Sequence, residues 1–321
     1  MVVNRMPVYN LYIGCSVPAN YPNYEAAMIK VAEAFDIQLE YMEGVGCCGS
    51  PNLRAIDYLG WLIVNARTLA IAEKNGHDIV TPCNGCFGSL KDVHHFLKHN
   101  TEYRKKVNTH LKKENLEFKG SITPRHFVEA LYTDIGVEEI KKKITKPLDG
   151  VGIAIHYGCH LLRPLDVTEF KPEILDELIE VTGASVVQYP LWKQCCGATV
   201  LPVDENLAIR LARDKLKSMK ESGAVFVTVV CPACGNQLDL QQLGLKESYG
   251  EEYNLPVLLY PQILGLALGM DEEEIGLSMN RVPADPILDH LTDYCFNHHL
   301  IYRCQRTGSV QLVRFSMSCL H

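Results

Sequence analysis

GVGCCGSP, residues 44–51, and KQCCGATV, residues 193–200, each set two adjacent cysteines ahead of a glycine. Neighbouring cysteines rarely bond to one another, because the small ring strains both the peptide and the disulfide torsion. Each pair must therefore hold something else, and the flanking chain shows what joins it. Upstream of Cys47-Cys48, 31 residues intervene before Cys15; downstream, 34 intervene before the C-x-x-C of Cys83 and Cys86. Around Cys195-Cys196 the pattern returns, with 35 residues back to Cys159 and 34 forward to Cys231 and Cys234. The local contexts match as well: YIGCSVP with HYGCHLLRP, GCCGSP with QCCGAT, IVTPCNGC with TVVCPACG. A lone C-x-x-C is a weak signal, whereas five cysteines repeated with the same inner spacing mark an internal duplication.

The spacing has a structural cause. VYNLYI (8–13) reads as a strand, and PNYEAAMIKVAEAF (22–35) as a helix with Ala26, Ile29, Ala32 and Phe35 on one face. IQLEYM (37–42) reads as a second strand, 53–76 as one long helix closed by Gly76, and DIVTP (78–82) as a third strand. The second half repeats the order, with strands at 151–157, 185–189 and 224–230 and helices at 171–182 and 204–222. This alternation predicts an α/β protein of two pseudo-symmetric Rossmann-like βαβαβ halves with parallel sheets. Loops after parallel strands open on one edge of the sheet. The cysteine clusters therefore sit at the C-terminal strand ends, giving two five-thiolate sites, one per half. The expected division is a first unit at 1–150 with a helical insertion, a second at 151–288, and a tail at 289–321 of different character.

Composition limits the chemistry. The 321 residues are 47% hydrophobic and 21% charged, as a globular core requires, and the net charge is −7. No dense basic stripe argues for nucleic acid. No apolar run has membrane-spanning length. The start, MVVNRMPVYNLYIG, lacks the features of a signal peptide. The expectation is a cytoplasmic protein. In a reducing compartment, 13 cysteines argue for metal or redox chemistry rather than disulfides.

Structural zinc takes four ligands, so five cysteines are one too many, and adjacent thiolates suit a single tetrahedral ion badly. The ferredoxin run C-x-x-C-x-x-C-x-x-x-C-P is absent. Five thiolates per iron–sulfur centre leave one to bridge two irons or to stand in reserve. For the bridge, one member of each adjacent pair is the candidate, with Cys48 and Cys196 the positions to test.

Over about residues 8–288, two copies of this pattern resemble the CCG domain family, and within it the B subunits of methanogen heterodisulfide reductases. The resemblance implies two non-cubane [4Fe-4S] clusters. Cys15, Cys47, Cys48, Cys83 and Cys86 would hold one, and Cys159, Cys195, Cys196, Cys231 and Cys234 the other. It implies reduction of the coenzyme M–coenzyme B disulfide to two thiols in methanogenesis, with the S–S bond split between the clusters. Candidate substrate anchors are the basic groups beside the cysteines, Arg54, His160, Arg163 and Lys193, against a reading as ordinary surface charge. His156 and His160 are candidate proton donors, against a structural role. The chain shows no flavin or nicotinamide motif. Electrons would then come from two partners, one a ferredoxin-like iron–sulfur subunit, the other a flavin-containing subunit, with hydrogenase or formate dehydrogenase upstream. The alternative is an iron–sulfur electron-transfer subunit of a lactate, glycolate, succinate or fumarate oxidoreductase.

Three features stand outside this scheme. RHF (125–127) and YPQILGLALG (260–269) fall at helix starts, fit for core packing or for covering the cysteine pockets. His94, His95, His99 and His110 suit a solvated helical hairpin better than a metal site. Cys295, Cys304 and Cys319 have no motif spacing and read as free thiols.

Overall fold

The computed structural model describes residues 6–163, 167 and 169–285. Strands β1 (Val8–Leu11), β2 (Gln38–Tyr41), β3 (Ile79–Thr81) and β4 (Pro124–His126) form one sheet in the order β2-β1-β3-β4. Strands β5 (Gly152–His156), β6 (Ser185–Val186), β7 (Phe226–Val229) and β8 (Val257–Leu259) form another in the order β6-β5-β7-β8. Every pairing is parallel. The two duplicated α/β halves expected from the sequence are present.

Each sheet carries a fourth strand that the sequence pattern does not announce. Val80 lies opposite Arg125, and Thr228 opposite Leu258. Both extra strands are 3 residues long, too short for a period-two pattern to register. Pro124 costs no ladder bond there, because an edge strand tolerates the missing N–H.

The first half continues through α1 (Ser16–Asn20), α2 (Pro22–Ala34), α3 (Ser50–Ile56), α4 (Tyr58–Asn75), α5 (Asn84–His99) and α6 (Thr101–Leu111). The single helix expected over 53–76 is broken at Asp57, which is extended at φ −141°. Its carboxylate accepts the Gly60 N–H at 2.9 Å and caps α4, so a helix-capping residue overrides the apolar run. Gly76 closes α4 in the left-handed region at φ +86°, as expected. The basic segment after Cys86 is a helical hairpin, α5 turning into α6 at Asn100, whose side chain accepts from Tyr103 N. Short helices α7 (Phe127–Ala130) and α8 (Val137–Lys143) lead to the second half. There α9 (Cys159–Leu162), α10 (Glu173–Glu180), α11 (Glu205–Glu221), α12 (Pro232–Tyr249) and α13 (Tyr260–Leu268) repeat the layout.

The apolar interior falls into two clusters, and both draw on both halves. One joins Met28, Val31 and Phe127 to Ile153, Phe226 and Leu264. The other joins Tyr12, Trp61 and Leu90 to Val227, Leu238 and Leu259. Each such side chain, fully buried, contributes roughly 1.5–3 kcal/mol. The docking is reciprocal: α5, which starts after Cys83, packs on α9, and α12, which starts after Cys231, packs on α1. The cysteine-bearing ends of the two sheets are thereby turned toward one another.

Candidate metal centre

Each cysteine group sits where a strand runs out. Cys15 caps α1 beyond β1, Cys47 and Cys48 occupy the turn from β2 to α3, and Cys83 caps α5 with Cys86 in its first turn. In the second half Cys159 opens α9, Cys195 and Cys196 lie between β6 and α11, and Cys231 caps α12 with Cys234 in its first turn. All ten line a single cavity of about 90 Å³. None is in a disulfide. Cys15 and Cys47 are exposed at its rim, Cys159 and Cys195 are half-buried, and the other six are buried.

The sulfurs are crowded. Cys15 and Cys47 Sγ lie 3.3 Å apart, Cys48 and Cys86 3.7 Å, and Cys196 and Cys234 3.5 Å. Cys83 and Cys231, one from each half, lie close enough for each to perturb the other's thiol. Two sets read from the sequence as one site per half thus meet in one chamber. Backbone N–H groups help: Gly49 donates to Cys47 Sγ, Ser50 to Cys48 Sγ and Gly197 to Cys195 Sγ, each at 3.4 Å. The N-termini of the long helices α5 and α12 add positive potential at Cys83 and Cys231.

Crowding divides the thiols into donors and acceptors. Hydrogen bonds from Cys47 and then Cys86 pull Cys48 down to about 3, while Cys47 is held up by its bond to Cys48. In the second set, bonds from Cys159 and Cys196 pull Cys195 down to about 2, and Cys196 is pushed up to about 12 by Cys195. Ten thiols so close cannot all ionise unless cations sit among them, and thiolate is the form that binds iron. The donor set therefore fits iron–sulfur chemistry. Two glycines make the packing possible. Gly14 has φ +72°, and a Cβ there would lie 2.8 Å from Cys86 Sγ. Gly158, its counterpart before Cys159, has φ +80°, and a Cβ there would strike the Asn84 amide.

The remaining sequence candidates scatter. His160 lines the cavity. Arg54 pairs with Asp92 at 2.7 Å and covers Trp61, Lys193 lies over its neighbour Trp192, and Arg163 is exposed. None of these three is among the cavity-lining residues. His156 ends β5 and is 1% exposed, and burial and then Lys215 hold its imidazole down to about 3. RHF and YPQ lie at the β4–α7 and β8–α13 junctions and do not line the cavity; His126 meets Val230 O at 3.1 Å. His94, His95, His99 and His110 lie on the α5–α6 hairpin, and among the described residues no three metal-ligating groups converge there. Cys295, Cys304 and Cys319 lie outside the described residues.

Two polar residues at the site escape the sequence reading. Asn84 donates to Tyr157 O at 2.8 Å and ties the two cysteine loops together. Lys215 is fully buried, its ammonium 2.6 Å from Leu191 O, and burial lowers it to about 8 against the pull of the second set's thiolates. A signal existed: Lys215 falls on the α11 stripe of Ala208, Ala212 and Met219, where a lysine is out of place.

Fold and site define a duplicated α/β protein whose two cysteine sets face one chamber. A family model described as cysteine-rich domain, CCG, matches residues 9–91 and 153–239. The B subunit of the ferredoxin/F420H2-dependent CoB-CoM heterodisulfide reductase of Methanosarcina acetivorans is 37% identical over 285 residues, covering 86% of this chain and 94% of that protein. A protein of Archaeoglobus profundus, named for its likeness to the heterodisulfide reductase B subunit, is 33% identical, covering 90% of this chain and 99% of that one. More distant relatives carry names from fumarate reduction and lactate utilisation. A crystal structure of a hypothetical protein from Helicobacter pylori superposes with a TM-score of 0.71 at 16% identity; it spans 86% of this chain, which covers 52% of it. The chain belongs to the CCG cysteine-rich domain family, in the group of heterodisulfide reductase B subunits. Among the described residues, no helix is long and apolar enough to cross a membrane.

Proposed function

We propose that this chain is the catalytic subunit of a heterodisulfide reductase, reducing the coenzyme M–coenzyme B disulfide to two thiols. The observation that supports it most is that both five-cysteine sets line one cavity. Splitting a disulfide takes two electrons, and iron–sulfur centres pass one at a time. A relay could keep its centres in separate pockets, whereas a chamber shared by two sets suits a substrate with two sulfurs.

Two non-cubane [4Fe-4S] clusters, when bound, would supply one electron each to the disulfide. Cys15, Cys47, Cys48, Cys83 and Cys86 would hold one, and Cys159, Cys195, Cys196, Cys231 and Cys234 the other. The residues around them do the rest. Cys83 and Cys231 lie at the buried end of the cavity, and the exposed rim at Cys15 and Cys47 leaves an entrance. His160, which lines the cavity, would give a proton to a departing thiolate. The anionic arms of the substrate would extend past the rim toward Arg54, Arg163 and Lys193. Electrons would arrive from two partners, one ferredoxin-like and one flavin-containing, in a reducing cytoplasm.

The test is reduction of the coenzyme disulfide by the anaerobically reconstituted chain with a reduced viologen. Oxidation of the dye with release of two thiols supports the proposal. No turnover, with iron and acid-labile sulfide present in both halves, would leave an electron relay as the role.

A further inference from the structure

His156 is the least satisfied polar side chain beside the cysteines. It ends β5 three residues before Cys159, is 1% exposed, and neither ring nitrogen has a hydrogen-bond partner. A ring nitrogen and the Cys196 and Cys234 sulfurs all lie within 4.8 Å of one another. A buried polar group left without a partner is destabilising. The partner must therefore come with whatever the thiolates hold.

The duplication supplies the comparison. Three residues before Cys15 stands Tyr12, on the matching strand end. Its hydroxyl donates to Gly46 O at 2.6 Å, within its own cysteine loop. Both halves offer five cysteines, so the first assembles its ligand set with no nitrogen at this position. We propose that the His156 imidazole donates its N–H to the sulfurs of the second iron–sulfur centre, making the two centres unequal. The inference rests on the cluster assignment proposed above.

A hydrogen bond to cluster sulfur favours the reduced state and raises the potential. A second difference points the same way. Counted from the helix caps Asp57 and Asp204, Lys215 corresponds to Thr68, whose hydroxyl only bonds Val64 O in its own helix. Positive charge and an N–H donor both adjoin the second set and are replaced in the first. The second centre is therefore the one that fills first as a one-electron donor is added.

The test is pulsed EPR and a potentiometric titration on the full reconstituted chain, with histidine carrying ¹⁴N or ¹⁵N. Backbone N–H donors give weak nitrogen modulation on both signals; we expect a component that changes with ¹⁵N-histidine on the higher-potential signal only. His156→Leu should abolish it and lower that signal's potential while iron and sulfide content is kept, and His156→Gln, which retains an N–H, should restore part of the potential. Should His156→Leu fail to load iron, the isotope exchange in the unaltered chain decides alone. Loaded centres without histidine modulation, or with the strong coupling of a direct iron–nitrogen bond, would overturn the inference and leave the cluster assignment standing. A chain that takes up neither iron nor sulfide would overturn both.

Discussion

Asn84 donates its side-chain amide to the carbonyl of Tyr157 over 2.8 Å, in the interior, between the loop of Cys83 and the loop of Cys159. This bond holds the two cysteine sets in one chamber at the point where α5 meets α9. Asn84→Leu leaves the Tyr157 carbonyl bare, and we expect a loss of about 1–3 kcal/mol. Urea unfolding under anaerobic conditions measures it. A midpoint equal to that of the unaltered chain would show the loops to be held by other contacts.

Cys48 and Cys196 are the buried members of the adjacent pairs, each within 3.7 Å of a C-x-x-C sulfur in its own half. They are therefore the two thiols we would test as iron-bridging. Cys48→Ser should change the spectroscopic type of one centre and leave the other, and Cys196→Ser should do the converse. Unchanged EPR spectra in both variants would move the bridge elsewhere.

Gly14→Ala puts a methyl group against Cys86 Sγ at a backbone angle of +72°. Such strain costs of order 1–3 kcal/mol. It falls on the first set alone, so iron bound there should drop while the second set keeps its own. Metal analysis together with the two EPR signals separates the cases.

Lys215→Met removes a buried positive charge next to Cys195, Cys196 and Cys234. We expect the second centre to become harder to reduce by about 60 mV, a tenfold change in a one-electron equilibrium. The first centre should not move, and a shift common to both would refute the local reading.

His126 carries a pH dependence. Burial holds it near 4 in the folded chain, against 6.5 for the ordinary side chain, and Nε2 meets Val230 O. The unfolded chain takes up a proton that the folded one refuses. Stability from this group is complete above about pH 6.5 and is lost as pH falls toward 4. The slope is about 1.4 kcal/mol per pH unit. Unfolding midpoints at pH 7.5 and 5, compared with those of His126→Asn, should differ by that slope, and parallel curves would exclude His126 as the source.

The ligand pattern was open to sequence reading because each thiol follows a strand within a few residues, so spacing along the chain reports position on the sheet edge. The three-residue strands β4 and β8 left no such trace. Nor did the single chamber, because it depends on α5 packing on α9 and α12 on α1, contacts between distant segments. Arg54 reads as a free cation beside Cys48 until folding brings Asp92 to 2.7 Å. Lys215 was legible on its helix face, and only its fit beside four thiolates needed the fold.

The rim of the cavity has a consequence for how the chain meets air. Cys15 and Cys47 are the two exposed cysteines of the ten, and their sulfurs stand 3.3 Å apart. Closing a bond of about 2.05 Å between them takes little movement. An oxidant entering from solvent reaches this pair first, while the matching pair in the other half, Cys159 and Cys195, is half-buried. Damage by oxygen therefore begins in the first half, and a protein duplicated in its ligands is one-sided in its vulnerability.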